Sequence, residues 1–88
     1  MANTDIPGVE IYTTPTCPDC RQLKTWLTLN GVHFTERDLT DPAVAEEAKA
    51  RTGVRVAPIT VIGANVSYGT FASRRQSLAD LLSLPRGA

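Results

Sequence analysis

The sequence predicts an α/β domain with the element order β-α-β-α-β-β-α, and three observations carry that expectation. Short apolar, β-rich runs alternate with stretches whose apolar residues recur at helical spacing. Starting and stopping residues fall between them, with Pro18 and Asp41-Pro42 at helix starts and Asn30-Gly31 and Gly53 at helix ends. A length of 88 residues supports one core and not a second, so residues 1–88 form a single domain with an ordered part from about 8 to 84.

Taken in order, Val9 to Thr13 reads as a buried strand. Pro18 to Asn30 reads as a helix with Cys20, Leu23 and Leu27 inward and Trp26 at the edge of that stripe. Val32 to Asp38 alternates apolar and polar residues as a second strand, and Asp41-Pro42 caps a helix to about Thr52 with Val44, Ala45 and Ala48 inward. Ile59 to Ile62 and Val66 to about Phe71 form a hairpin across the turn Gly63-Ala64-Asn65. Ser73 and Gln76 make a capping box for a third helix, which buries Leu78, Leu81 and Leu82 and stops at Pro85. Pro85 to Ala88 is expected to be a frayed tail.

The only two cysteines lie in Thr14-Pro15-Thr16-Cys17-Pro18-Asp19-Cys20, between the first strand and the first helix. A thiol at a helix start faces unpaired N–H groups and the positive end of the dipole, which stabilise its thiolate. Pro18 at the first helical position leaves Cys17 at or beside the N-cap with its side chain exposed. Cys20 follows about one turn on, close enough to attack a mixed disulfide formed on Cys17. This is the pattern of a redox dithiol, with Cys17 as nucleophile and Cys20 as resolving thiol. Asp19, as a carboxylate between the two, opposes the thiolate that the dipole favours, unless it points to water and caps the helix. Arg21 and Lys24 offset that charge, meet an acidic partner or are simply solvated.

Nine basic and nine acidic residues balance, which argues against nucleic-acid binding and against a charged membrane surface. Met1 to Asp5 are polar, and no stretch approaches the roughly 18 apolar residues of a membrane span. The expected location is the cytoplasm, where a lone cysteine pair is catalytic rather than a permanent staple. Tetrahedral zinc would need about two further ligands, and His33 is the one histidine, so no metal is expected. Arg74 and Arg75 near the start of the last helix sit against the dipole, as solvated residues or as contacts for an anionic thiol or acidic partner.

The strand, the Cys-x-x-Cys helix start and the Pro-led hairpin with its closing helix resemble the glutaredoxin branch of the thioredoxin fold. The resemblance implies a four-stranded mixed sheet flanked by three helices. Thr52-Gly53-Val54-Arg55-Val56-Ala57-Pro58 is similar to the family segment that ends in a cis-proline facing the active-site sulfurs. It implies that Pro58 shapes the substrate groove, that Ala57 offers its backbone to substrate, and that Arg55 meets the carboxylate of glutathione. Thr14 stands where glutaredoxins usually carry Lys, in the substrate-facing loop, and Tyr68 is the tyrosine assigned beside the cysteines. Ser67-Tyr68-Gly69-Thr70-Phe71 replaces the usual Gly-Gly and Asp pattern and resembles the redoxins that feed ribonucleotide reductase, while the Thr-rich approach to Cys17 is shared with mycoredoxins.

The implied activity is thiol–disulfide exchange without a bound cofactor. Electrons would come from a low-molecular-weight thiol, glutathione or mycothiol, or from a flavin enzyme such as thioredoxin reductase. They would go to protein disulfides or mixed disulfides, with a monomer as the working form. Two other readings stay open: a dedicated donor to ribonucleotide reductase, and a non-catalytic adaptor that keeps the cysteine pair as a reversible lock.

Overall fold

The computed structural model describes residues 8–54 and 56–84. Its elements are β1 (Val9–Thr13), α1 (Pro18–Leu29), β2 (Thr35–Asp38), α2 (Pro42–Thr52), β3 (Ile59–Ile62), β4 (Asn65–Tyr68) and α3 (Phe71–Leu81). They build a four-stranded sheet in the order β2-β1-β3-β4. β1 runs parallel to β2 and antiparallel to β3, which pairs antiparallel with β4, so the sheet is mixed, as the resemblance implies.

Period-2 alternation sorts the strands' side chains between two cores. Val9 and Ile11 of β1 and Ile62 of β3 join Leu23, Leu27 and Leu78 under α1 and α3. Tyr12 of β1 and Ile59 and Val61 of β3 join Val44 and Ala48 under α2. Both central strands therefore bury side chains on both faces, which explains why every residue of Ile59–Ile62 is buried.

Residue chemistry sets most helix ends. Asp41 caps α2 by accepting from the Ala43 amide, with Pro42 at the first position. α1 ends in a Schellman motif: Val32 N–H donates to Leu27 O at 2.9 Å and Gly31 N–H to Thr28 O at 3.1 Å, with Gly31 at φ 71°. Leu27 and Val32 then meet in the same core.

Four expectations need correction. Thr70, not Ser73, caps α3: its Oγ1 accepts from Ser73 N–H, and Gln76 instead donates to Asp80 at 3.0 Å. The buried face of that helix is Leu78, Ala79 and Leu82, while Leu81 stays 37% exposed because it lies about 100° from the centre of that arc. α3 stops before Pro85 by a second Schellman motif, with Leu84 N–H on Ala79 O and Ser83 at φ 58°. β2 and β4 are shorter than expected, because Val32 and Phe34 pack as a loop under α1 before pairing begins and pairing ends at Tyr68. Pro85 to Ala88 lies outside the described residues.

Candidate functional site

Strand register places one end of the sheet under the cysteines. Tyr12 pairs with Ile59 and Ile59 with Tyr68, so the end of β1, the residue before β3 and the end of β4 lie side by side. Thr14 follows β1, Pro58 precedes β3 and Gly69 follows β4 directly, with Cys17 four residues beyond the end of β1. The Ala57–Pro58 peptide bond is cis, in the isomer the resemblance implies for this position.

Cys17 is the N-cap of α1 and Pro18 its first residue. Cys17 Sγ is partly exposed and accepts the Cys20 N–H at 3.1 Å, so the third-position orphan donor of the helix points at sulfur. Both thiols are free, and Cys20 is only 1% exposed, one turn into the helix. Burial, with the neighbouring Cys17 thiol second, pushes the Cys20 thiol up to about 12.

Asp19 does not simply point to water: it is half-buried and reaches another element. Its Oδ1 accepts the backbone N–H of Phe71, the first residue of α3, at 3.1 Å across 52 positions of sequence. The box between the cysteines is thereby tied to the start of another helix. Phe71 in turn meets Trp26 of α1 edge to face, with centroids 5.7 Å apart. Trp26 Nε1 is buried without an acceptor among the described residues.

The remaining sequence-assigned residues separate into three places around this end. Thr14 and Ala57 line a cavity of about 440 Å³ closed by Leu39 and by Ala45, Ala48 and Lys49 of α2. Pro58 and the half-exposed Tyr68 line a narrow cleft on the opposite side with Leu23, Gly69 and Arg74. Pro18 and Arg21 border an open groove along α1 that reaches Leu29 and Phe71. Arg55 lies outside the described residues. Lys24 points away toward Glu36, at 2.9 Å, and His33 is exposed in the loop before β2.

Sequence reasoning missed a polar network that braces α2 against the sheet. The Tyr12 side chain is fully buried, and its hydroxyl donates to Glu47 Oε2 at 2.8 Å and accepts from Arg51 at 3.1 Å. Arg37 of β2 makes a two-pronged pair with Glu47, at 2.6 and 2.9 Å, and Arg51 also pairs with Glu10 of β1. The only local signal is the alternation of Glu10 and Tyr12 onto the face that meets α2.

A mixed sheet with helices on both faces and a Cys-x-x-Cys pair capping the helix after the first strand defines a thioredoxin-fold dithiol protein. The glutaredoxin family model matches residues 9–66, and the chain belongs to the glutaredoxin family. Among solved structures, the chain is similar to a crystallised thioredoxin-like protein at 31% identity, covering 80% of this chain and 97% of that one with a TM-score of 0.71. It is also similar to glutaredoxin from Brucella melitensis at 30% identity, covering 88% and 89% with a TM-score of 0.67. NrdH-redoxin from Escherichia coli, a glutaredoxin-like protein with a thioredoxin-like activity profile, matches at 26% identity over 72% of this chain and 82% of its own, with a TM-score of 0.62. Among curated proteins, the global transcriptional regulator Spx 1 of Bacillus cereus is 43% identical over 42 residues, 47% of this chain. The match covers 32% of that regulator's length, so the chain spans about a third of the curated relatives it resembles. Family and cysteine pair together support a thiol–disulfide redox function. No helix among the described residues is long and apolar enough to cross a membrane.

Proposed function

We propose that the chain is a single-domain thiol–disulfide oxidoreductase that reduces protein disulfides, or mixed disulfides with small thiols, through Cys17 and Cys20. The observation that carries this is the N-cap sulfur: Cys17 Sγ, partly exposed, holds the Cys20 amide at 3.1 Å while the Cys20 thiol is enclosed behind it. Cys17 attacks one sulfur of the substrate disulfide as thiolate. That S–S bond breaks, one substrate sulfur leaves and takes up a proton, and Cys17 is held in a mixed disulfide. Cys20 then gives up its proton and attacks the Cys17 sulfur, forming the Cys17–Cys20 bond and releasing the second substrate thiol. Two electrons and two protons have passed to the substrate. A low-molecular-weight thiol, glutathione or mycothiol, or a flavin reductase such as thioredoxin reductase restores the dithiol.

In this reading Pro58, Ala57, Thr14, Tyr68 and Arg55 contact the substrate, and Pro18, Asp19 and Arg21 tune the box. The monomer is the working form and a reducing compartment such as the cytoplasm the setting, where an accessible dithiol stays available. The likeness to NrdH-redoxin, a glutaredoxin-like protein with a thioredoxin-like activity profile, supports a reductase of the thioredoxin system as the electron source; a dedicated donor to ribonucleotide reductase is the alternative reading.

The test is turnover of a disulfide substrate with three reducing systems in parallel: glutathione, mycothiol and thioredoxin reductase, each with its NADPH-linked enzyme. Cys17→Ser abolishes turnover with whichever system works, and Cys20→Ser accumulates the mixed disulfide. Because Cys20 must ionise against burial, the resolving step accelerates with pH from 6 to 9, up to about tenfold per unit, in single-turnover measurements. The match to a transcriptional regulator favours one second reading, an adaptor that holds a protein partner and uses the cysteines as a lock. Retention of a partner by Cys17→Ser, with no turnover by wild type, selects the adaptor.

A further inference from the structure

We propose that the open groove between α1 and α3 is a docking track for the polypeptide around a substrate disulfide, taken by a segment with an acidic residue beside its reactive cysteine and apolar side chains beyond. The proposal rests on the oxidoreductase reading and adds the sequence chemistry of its protein substrates. The groove encloses about 440 Å³ and runs from Pro18, the neighbour of Cys17, to Leu29 at the far end of α1. The eleven helical steps between them rise about 16 Å, the length of about five extended residues.

Its two ends differ in character. At the cysteine end Arg21 is exposed, and Arg74 stands exposed beside Gly69 in the adjoining cleft. Neither is in an ion pair among the described residues, and the nearby carboxylate Asp19 has one oxygen held by the Phe71 amide. An acidic side chain flanking the substrate cysteine meets those two cations. At the other end no charged residue among the described ones lines the groove. Trp26 and Phe71 form its wall and Leu29 is 80% exposed, the largest exposure of any large apolar side chain described. An unpartnered leucine at the end of an apolar groove that opens beside the reactive thiol is a contact for an apolar side chain four or five residues from the substrate cysteine.

Disulfide-linked peptides test this. Four versions combine Asp or Lys next to the cysteine with Leu or Ser five residues away, and each is reduced by wild type and by Leu29→Ser. A small dialkyl disulfide serves as the control. Wild type is expected to favour the Asp–Leu peptide over the Lys–Ser peptide by about tenfold or more in kcat/KM, with the Asp preference fading at high salt. Leu29→Ser should lose about fivefold on the Leu peptides and nothing on the small disulfide. Turnover of the small disulfide with no discrimination among peptides overturns the groove and leaves the oxidoreductase reading standing. Equal loss on the small disulfide also overturns it, because Leu29 would then act on the site itself. A wild-type dimer that Leu29→Ser dissociates identifies the groove as a self-interface and overturns it as well. Absence of all turnover removes both readings.

Discussion

Asp19 illustrates how a residue's neighbours in sequence can mislead about its neighbours in space. Between two cysteines it reads only as a charge beside a thiol, and one of its oxygens also satisfies the first amide of α3. Removing the acceptor strands a helix N-terminal N–H, so Asp19→Ala should cost about 1–2 kcal/mol in urea unfolding, while Asp19→Asn, which keeps an acceptor, should cost less than half of that. Trp26 presents the opposite case, a donor with nothing to meet among the described residues. Trp26→Phe removes an unsatisfied buried N–H together with some apolar area and should change stability by less than about 1 kcal/mol, whereas Trp26→Ala should cost about 3–5 kcal/mol. The roles of Cys17 and Pro18 at the helix start were legible because a cap and a first-turn proline are local chemistry. The Asp19–Phe71 and Tyr12–Glu47 contacts were not, since they join residues 52 and 35 positions apart and depend on how helices settle on the sheet.

At the level of elements, strong local signals fixed the outcome and weak ones did not. Asp41-Pro42 and Gly53 bracket α2 as expected, and Gly31 turns the chain out of α1. The start of α3 differs from its local signal: Ser73 and Gln76 have the spacing of a capping box, but Thr70 stands three residues before Ser73 and reaches its amide first. The end of that helix carries a residual cost. Ser83 adopts a left-handed conformation at φ 58°, where a side chain costs about 1–2 kcal/mol and glycine's extra chain entropy about 0.5–1 kcal/mol. Ser83→Gly should therefore stabilise the protein by about 0.5–1 kcal/mol, read as a higher urea midpoint with an unchanged slope.

For the whole molecule, charge placement sets the pH range of stability. The Thr13 hydroxyl, then Lys24, holds Glu36 below the usual carboxylate range. The Tyr12 hydroxyl, then Arg37, does so for Glu47, and Thr40 for Asp38. Groups with lowered folded values contribute above their unfolded pKa and lose that contribution as pH falls through the folded value. The Cys20 thiol is raised to about 12, and burial raises Tyr12. Their contributions are complete below the unfolded values, about 8.5 for a thiol, and fade as pH climbs toward the folded ones. Urea midpoints of the reduced protein should thus be flat from about pH 5 to 8 and fall on both sides, and Cys20→Ala should flatten the alkaline limb.

The order β2-β1-β3-β4 also leaves β2 with one unpaired flank, and three of its four residues are Glu36, Arg37 and Asp38. A foreign strand laid along that flank would have to stack its side chains against alternating charges already committed to Lys24 and Glu47. This edge of the sheet is in this way guarded against strand addition by the same ion pairs that brace α1 and α2, so one set of charges serves both cohesion within the molecule and separation between molecules.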